Sequence, residues 1–269
     1  MGDSAGTTKK RDIDDVIRRV ERGALQVPFT ASTVAMVVLA GWLTSTYAGV
    51  RLSAHAITRL GSSPADTASF NVLRGVMSAF VTNGPAAFWL AVVAIAVFAG
   101  ISELRFGSLR TGLAFWGSHI VTLALSWILL GSLDLAGDAA ARLLYIAHDV
   151  GPSAGYVGCL GYLLASLGSK ARSTALAVGV VVLSGMLAIN LGSLESDPSG
   201  VSAALSHLIA LPVGFMLGVF IPGSPAAPVL EEDALSRRRS ETGRHRAGRG
   251  RRSDRELAER ETPSSSWHA

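Results

Sequence analysis

Charged residues are scarce in this sequence. Of its 269 residues, 16% are charged and 49% are hydrophobic, whereas soluble domains carry about 25% charged residues. This deficit argues against a soluble globular protein. Cysteine occurs once, as Cys159. A disulfide within the chain is therefore excluded, and we expect this residue only to fill space in the interior.

The charges that are present are confined to short segments, and six long uncharged runs lie between them. Each run reaches the roughly 20 mainly apolar residues that are needed to cross the hydrocarbon core of a bilayer. The sequence therefore predicts an all-α, polytopic membrane protein with six transmembrane helices. The six runs are Gly23–Val50, Gly75–Ser102, Thr111–Leu133, Val150–Ser169, Ser173–Leu194 and Pro198–Leu230.

The chain divides by composition into three parts. They are a basic N-terminal segment (residues 1–26), a membrane domain (27–221) and an Arg-rich tail (222–269). The apolar part of the first run exceeds the roughly 7–15 residues of a signal-peptide core, so we expect it to be retained as a helix. The N-terminal segment is either a short amphipathic helix on the inner leaflet or an ordinary basic flank. The composition of the tail is typical of disorder.

Lysine and arginine mark one side of the membrane. They are concentrated at both ends of the chain and in the loops after the second and fourth runs. The positive-inside rule then places both termini in the cytoplasm. Anionic lipids are the expected partners of the basic tails, and a membrane-tethered tail does not favour nucleic-acid binding. The bias toward Ala, Gly, Val and Arg indicates a bacterium of high GC content, and hence the plasma membrane.

Ionisable side chains are nearly absent from the uncharged runs. Only His119 and His207 lie well inside them, and we expect no carboxylate, lysine or arginine to be buried. Coupled transporters usually place an acidic relay within the bilayer, so this pattern argues against one. The histidines lack a second ligand at metal-binding spacing. We predict no metal site and no cofactor, and we expect His119 to bond to a neighbouring helix.

Small residues surround Ser153 and His207. Gly151, Gly158 and Gly161 accompany the serine, and a stripe of small residues that includes Gly214 follows His207. Such stripes allow two helices to approach closely in a membrane. Ser153 would stand at the outer end of the fourth helix, where free backbone N–H groups could support a developing oxyanion.

The fourth run resembles the fourth helix of the rhomboid family of intramembrane serine proteases. That helix carries the pattern G-x-S-G-x-x-x-G-x-x-G in the family. Gly151, Ser153, Gly158 and Gly161 match it, and Ala154 stands in place of one glycine. The resemblance implies that Ser153 is the nucleophile.

The resemblance extends to other parts of the chain, over roughly residues 27–220. The sixth helix of the family carries A-H-x-x-G-x-x-x-G, in which the histidine acts as general base and then as general acid. Further matches are to an arginine of the first outer loop and to an E-x-x-x-G after the second helix. On the sixth helix His207 and Gly214 match, whereas Ser206 and Ala210 stand in place of the family's alanine and first glycine. The other matches are Arg74 in the outer loop, and Glu103 and Gly107 after the second helix.

The resemblance implies a six-helix rhomboid-like bundle with a serine–histidine dyad, Ser153 and His207, that cleaves a peptide bond of a transmembrane substrate. Gly151 would help to position the oxyanion. One departure concerns the H-x-x-x-N of the family's second helix, which falls here on Ala87 and Ala91. Asn83, one turn earlier, is a candidate substitute.

Three functions remain open on the sequence alone. The first is a rhomboid-like protease that uses the dyad. The second is an inactive protein of the same fold that binds transmembrane segments of client proteins, as the loss of H-x-x-x-N and the glycine-to-alanine changes indicate. The third is a transporter or a purely structural membrane protein.

Overall fold

A computed structural model of the protein describes residues 26–69 and 71–222. Within these ranges the chain is helical and contains no β-strand, only one isolated bridge between Ser62 and Asp149. Ten α-helices and a short 3₁₀ turn (Thr46–Ala48) follow one another between residues 28 and 220, and α5 includes a π-helical segment at Ile95–Ala99. The α-helices are α1 Pro28–Leu43, α2 Ala54–Leu60, α3 Pro64–Ala68, α4 Val72–Ser78, α5 Pro85–Phe106, α6 Ser108–Leu135, α7 Ala139–Ile146, α8 Ser153–Ala165, α9 Ser169–Leu191 and α10 Pro198–Phe220.

The predictions for the two basic tails lie outside the described residues. They comprise the amphipathic helix before residue 26, the disorder of the Arg-rich tail and the binding of anionic lipid by both segments. These remain predictions from composition.

In the described part of the chain, four helices are long and apolar enough to cross a membrane: α5, α6, α9 and α10. For these the prediction of membrane-crossing helices is confirmed in length and composition. The other two apolar helices are shorter, with 16 residues in α1 and 13 in α8. Six helices of spanning length are therefore not confirmed, because an uncharged run also includes the loop residues that flank its helix.

The short helix α8 lies in the centre of the molecule. Its start is fixed by Gly151, whose φ of +140° favours glycine, and by Pro152, which is the N-cap residue. Nine of its 13 residues are buried, whereas α9 has no buried residue. A helix that is enclosed by protein does not need to match the thickness of the lipid around the bundle.

The closest packing in the fold is between α8 and α10. A Cβ atom on Gly161 would overlap the carbonyl oxygen of Leu211, and one on Gly214 would overlap the carbonyl group of Gly158. On its other side, Gly158 packs against the side chain of Ser118 on α6. The small-residue spacing in the sequence therefore corresponds to backbone contact between these helices.

Glu103 corrects the expectation that no carboxylate is buried. It lies near the end of α5 and is 3% exposed. Its Oε1 accepts hydrogen bonds from the N–H of Phe29 (2.8 Å) and the hydroxyl of Ser108 (2.6 Å), and its Oε2 accepts one from the N–H of Thr30 (2.7 Å). The carboxylate thus caps the N-terminus of α1, where backbone donors and the helix dipole favour an anion. With both oxygens bonded, it has a structural role.

The outer loop between α1 and α5 folds over the start of α8. Ser62 and Asp149 exchange two backbone hydrogen bonds, of 3.0 and 2.9 Å, and the N–H of Gly151 donates to the carbonyl of Ser78 (2.8 Å). Asp66 holds the loop together through an ion pair with Arg74 (2.8 Å) and a contact to His148 (3.3 Å).

Candidate active site in the membrane domain

Ser153 is the first residue of α8. The hydrogen-bond ladder of α8 begins with the N–H of Tyr156, which donates to the carbonyl of Pro152 at 3.1 Å. The N–H groups of Ser153, Ala154 and Gly155 have no hydrogen-bond partner among the described residues. Three donors are therefore free beside the hydroxyl of Ser153, as is usual for the first turn of a helix. The N–H of Gly151 is not free, because it donates to the outer loop.

Ser153 lines a small polar cavity that is enclosed by α6, α8, α10 and the outer loop. Its volume is about 30 Å³, which is enough for a water molecule or two. Hydroxyl groups dominate the lining, a histidine and a carboxylate complete it, and apolar side chains are few. The polar residues of the lining are Ser62, Ser78, His119, Thr122, Ser126, Asp149, Ser153, Ser202 and Ser206.

His119 presents a free ring nitrogen in this setting. Its Nε2 lies 2.8 Å from the carbonyl oxygen of Gly75 on α4. Since a carbonyl can only accept, Nε2 carries the proton, and Nδ1 is left with a lone pair. His119 is 4% exposed, and its Nδ1 has no hydrogen-bond partner among the described residues. The expected bond to a neighbouring helix is present, and the partner is α4, a short helix of the outer loop.

Sequence reasoning missed two hydroxyls that accompany His119. Thr122 and Ser126 follow it at +3 and +7 on α6, line the same cavity, and have buried oxygens that lack a hydrogen-bond partner within the described part of the chain. Polar residues at helical spacing on one face of an apolar helix were the signal that could have revealed them.

His207 is not joined to Ser153 in the structure. Its Nε2 is buried and has no hydrogen-bond partner among the described residues. Ser202 and Ser206 of the same helix line the cavity, whereas His207 does not. The α8–α10 packing therefore brings the two helices together without assembling the predicted dyad, although catalytic hydrogen bonds are often long in the absence of substrate.

Asp149 adds a carboxyl group to the cavity, which sequence reasoning also missed. Although the residue is only partly buried, loss of water around its carboxyl group raises the pKa of Asp149 from 3.8 to about 7. The N–H of Val150 opposes this rise by donating a hydrogen bond of 2.8 Å, and the charge of Asp197 adds to it. The cavity thus holds a serine, a histidine and a carboxyl group, with no hydrogen bond between any two of these three side chains.

Helix α5 supplies no side-chain donor to this cavity. Asn83 is exposed in the bend before α5. Ala87 is exposed and Ala91 is buried, and none of the three lines the cavity. The structure therefore does not bring Asn83 to Ser153 as a substitute oxyanion donor. The free N–H groups at the start of α8 are the donors that remain.

An apolar groove of about 230 Å³ adjoins the polar cavity. It lies between α4 and α6, and it shares Ser62, His119 and Leu123 with the cavity. Apolar side chains such as Val76, Ile120 and Trp127 form much of its wall. His119 therefore stands between an apolar groove and the polar space that contains Ser153.

The described residues contain no group of three or more His, Cys, Asp or Glu side chains that could hold a metal ion. The chemistry available at the site is that of hydroxyl, imidazole and carboxyl groups. No family model, no curated protein and no solved structure shows a significant match to the chain.

Proposed function

We propose that the protein is a rhomboid-like intramembrane serine protease in which Ser153 attacks a peptide bond of a transmembrane substrate. The observation that carries the proposal is the position of Ser153. It begins a buried helix beside three free N–H groups, and it lines a polar cavity that also holds a histidine with a free ring nitrogen. The matching glycine pattern around Ser153 and His207 supplies the rhomboid assignment.

The reaction follows from these groups. The oxygen of Ser153 bonds to the substrate carbonyl carbon, and a histidine takes the proton from the hydroxyl. The free N–H groups at the start of α8 stabilise the oxyanion that forms. The C–N bond then breaks, the histidine returns the proton to the leaving amine, and water hydrolyses the acyl-enzyme. The adjoining apolar groove suits an apolar side chain of the substrate segment.

Two histidines are candidates for the base. The rhomboid resemblance assigns this role to His207. The present geometry favours His119, because its Nδ1 lone pair is free and the residue lines the cavity together with Ser153. In that arrangement the carbonyl of Gly75 would fix the tautomer of His119, the task that a carboxylate performs in a triad.

We further propose the location, the topology and the partners of the protein. The protein is a multi-pass protein of the plasma membrane, with six helices in a rhomboid-like bundle and both termini in the cytoplasm. Its partners are a transmembrane substrate and, at the basic tails, anionic lipids.

A fluorophosphonate probe tests the proposal in membranes that contain the full-length protein. We expect the parent to be labelled and Ser153→Ala not to be. Ser206→Ala, which removes another hydroxyl from the same cavity, is the matched control and should keep the label. Labelling is then compared in His207→Phe and His119→Phe, and the variant that loses the label identifies the base. Absent labelling, or labelling that persists in Ser153→Ala, contradicts the protease.

The second candidate function is the binding of client transmembrane segments without cleavage. The absence of a hydrogen bond between Ser153 and His207, together with Ala87 and Ala91 at the usual donor positions, favours it. A protein of this kind should crosslink a transmembrane client equally well with or without Ser153→Ala. It should also release no cleavage product.

A further inference from the structure

A second cavity lies at the opposite end of the bundle from Ser153. The ends of α5, α8 and α10 meet the start of α9 there, around a space of about 330 Å³. This volume is within the range of small-molecule sites, which begins at roughly 300 Å³. Two arginines line it, Arg105 from α5 and Arg172 from α9.

Among the residues that the structure describes, neither guanidinium group has an anionic partner. Neither Arg105 nor Arg172 forms an ion pair or a hydrogen bond in the described part of the chain. Arg105 rests over the ring of Phe106, with 5.5 Å between its guanidinium carbon and the ring centroid. Two guanidinium groups that share a cavity, and that no described residue pairs with, favour a bound anion.

The described carboxylates cannot supply that anion. Glu103 lies at this end of α5, but both of its oxygens are already bonded at the start of α1. The other carboxylates of the described ranges belong to the outer loop or to segments at the opposite ends of the helices. They are Asp66, Asp134, Asp138, Asp149, Glu195 and Asp197.

The walls of the cavity indicate an amphiphile. Phe106 and Val219 present apolar surface, whereas the hydroxyls of Tyr162 and Ser166 lie among the polar groups. These hydroxyls donate to the carbonyls of Ile221 and Leu163, so their oxygens can still accept hydrogen bonds. Phospholipid headgroups occupy the depth at which helices of spanning length end, and basic pockets there bind anionic lipids.

We propose that this cavity binds an anionic glycerophospholipid, with the phosphate between Arg105 and Arg172 and the start of an acyl chain along Val219. A zwitterionic lipid binds more weakly, because its cationic group meets two like charges. The site is independent of the proposed proteolysis.

The experiment measures the thermal unfolding midpoint of the full-length protein in a neutral detergent as lipid is added. We expect dioleoylphosphatidylglycerol to raise the midpoint at lower concentrations than dioleoylphosphatidylcholine. The double variant Arg105→Gln/Arg172→Gln should need at least about tenfold more phosphatidylglycerol for the same rise in the midpoint, because two charge-assisted contacts are lost. Arg142→Gln, which removes an exposed arginine on α7, is the matched control and should respond as the parent does.

A second variant tests the volume of the cavity separately from its charge. Val219→Trp fills the cavity without changing its charge, and it should weaken the response to phosphatidylglycerol as well. Equal responses of the parent and the double variant would overturn the site, as would equal responses to the two lipids. If inorganic phosphate alone raises the midpoint as much as the lipid does, the cavity is a free-phosphate site and the lipid assignment fails.

Discussion

Gly214 of α10 faces the backbone of Gly158 on α8 so closely that position 214 has no room for a side chain. The cavity of Ser153 is built beside this contact, since Ser202 and Ser206 on α10 and Ser153 on α8 line it together. The spacing between the two helices therefore sets the size of the candidate active site.

Replacing Gly214 by alanine should destabilise the protein by about 1–3 kcal/mol, because the added methyl group forces the two backbones apart. The measurement is the free energy of unfolding in mixed detergent micelles. Gly185→Ala is the matched control. It lies on the peripheral helix α9, no atom lies within 4 Å of the position of its Cβ, and alanine favours a helix. Equal losses in both variants would contradict the close packing of α8 and α10.

Replacing Glu103 by glutamine should cost about 2 kcal/mol or more of the free energy of unfolding. The amide keeps one acceptor but turns its NH₂ group toward backbone donors at the start of α1. The same micelle unfolding measurement applies, with the exposed Glu195→Gln as control. A loss confined to Glu103→Gln supports the capping role, and stability equal to that of the parent argues against it.

Asp149 should make stability depend on pH. Its pKa is raised on folding from 3.8 to about 7, so between these values the folded protein holds a proton that the unfolded chain has released. Stability from this group therefore falls as pH rises from about 4 to about 7, and the penalty is complete above that range. We expect Asp149→Asn to unfold at a higher temperature than the parent at pH 8, and the difference to shrink toward pH 4. A difference that does not vary with pH would refute the shift.

Replacing Arg74 by glutamine should loosen the outer loop. Arg74 pairs with Asp66 and donates to the carbonyls of Gly61 and Thr58, so its loss releases three points of the loop at once. We expect trypsin to cleave after the exposed Arg59 roughly tenfold faster, because local opening of the loop then costs less free energy. Arg142→Gln should leave the rate of this cleavage unchanged. An unaltered rate in Arg74→Gln would mean that other contacts hold the loop.

The parts of the fold that could be predicted are those governed by local pattern. Long uncharged runs identified α5, α6, α9 and α10, since only a helix satisfies its own backbone in lipid. The glycine spacing indicated the close approach of α8 and α10. The ends of the helices were harder to predict from the sequence, because Gly151 and Glu103 set them through contacts with distant segments.

The candidate site could be predicted only in part. Ser153 was found from its glycine-rich surroundings, but His119 depends on Gly75, which the sequence placed within a spanning run and the structure places in the outer loop. Asp149 was likewise missed. Asp149 lies in the cavity because its backbone pairs with that of Ser62, a contact that no local sequence pattern predicts.

The shortness of α8 has a consequence for the surface that meets the lipid. At about 1.5 Å per residue, its 13 residues cover about 20 Å of a hydrocarbon layer that is about 30 Å thick. The outer loop folds over its start, so we expect α4 to lie at the depth of the acyl chains in the proposed membrane setting. Leu73 and Met77 on this short helix are exposed, which suits contact with lipid. In the proposed membrane setting the outer loop would therefore form a wall of the domain, and we expect water to reach Ser153 below the plane of the headgroups.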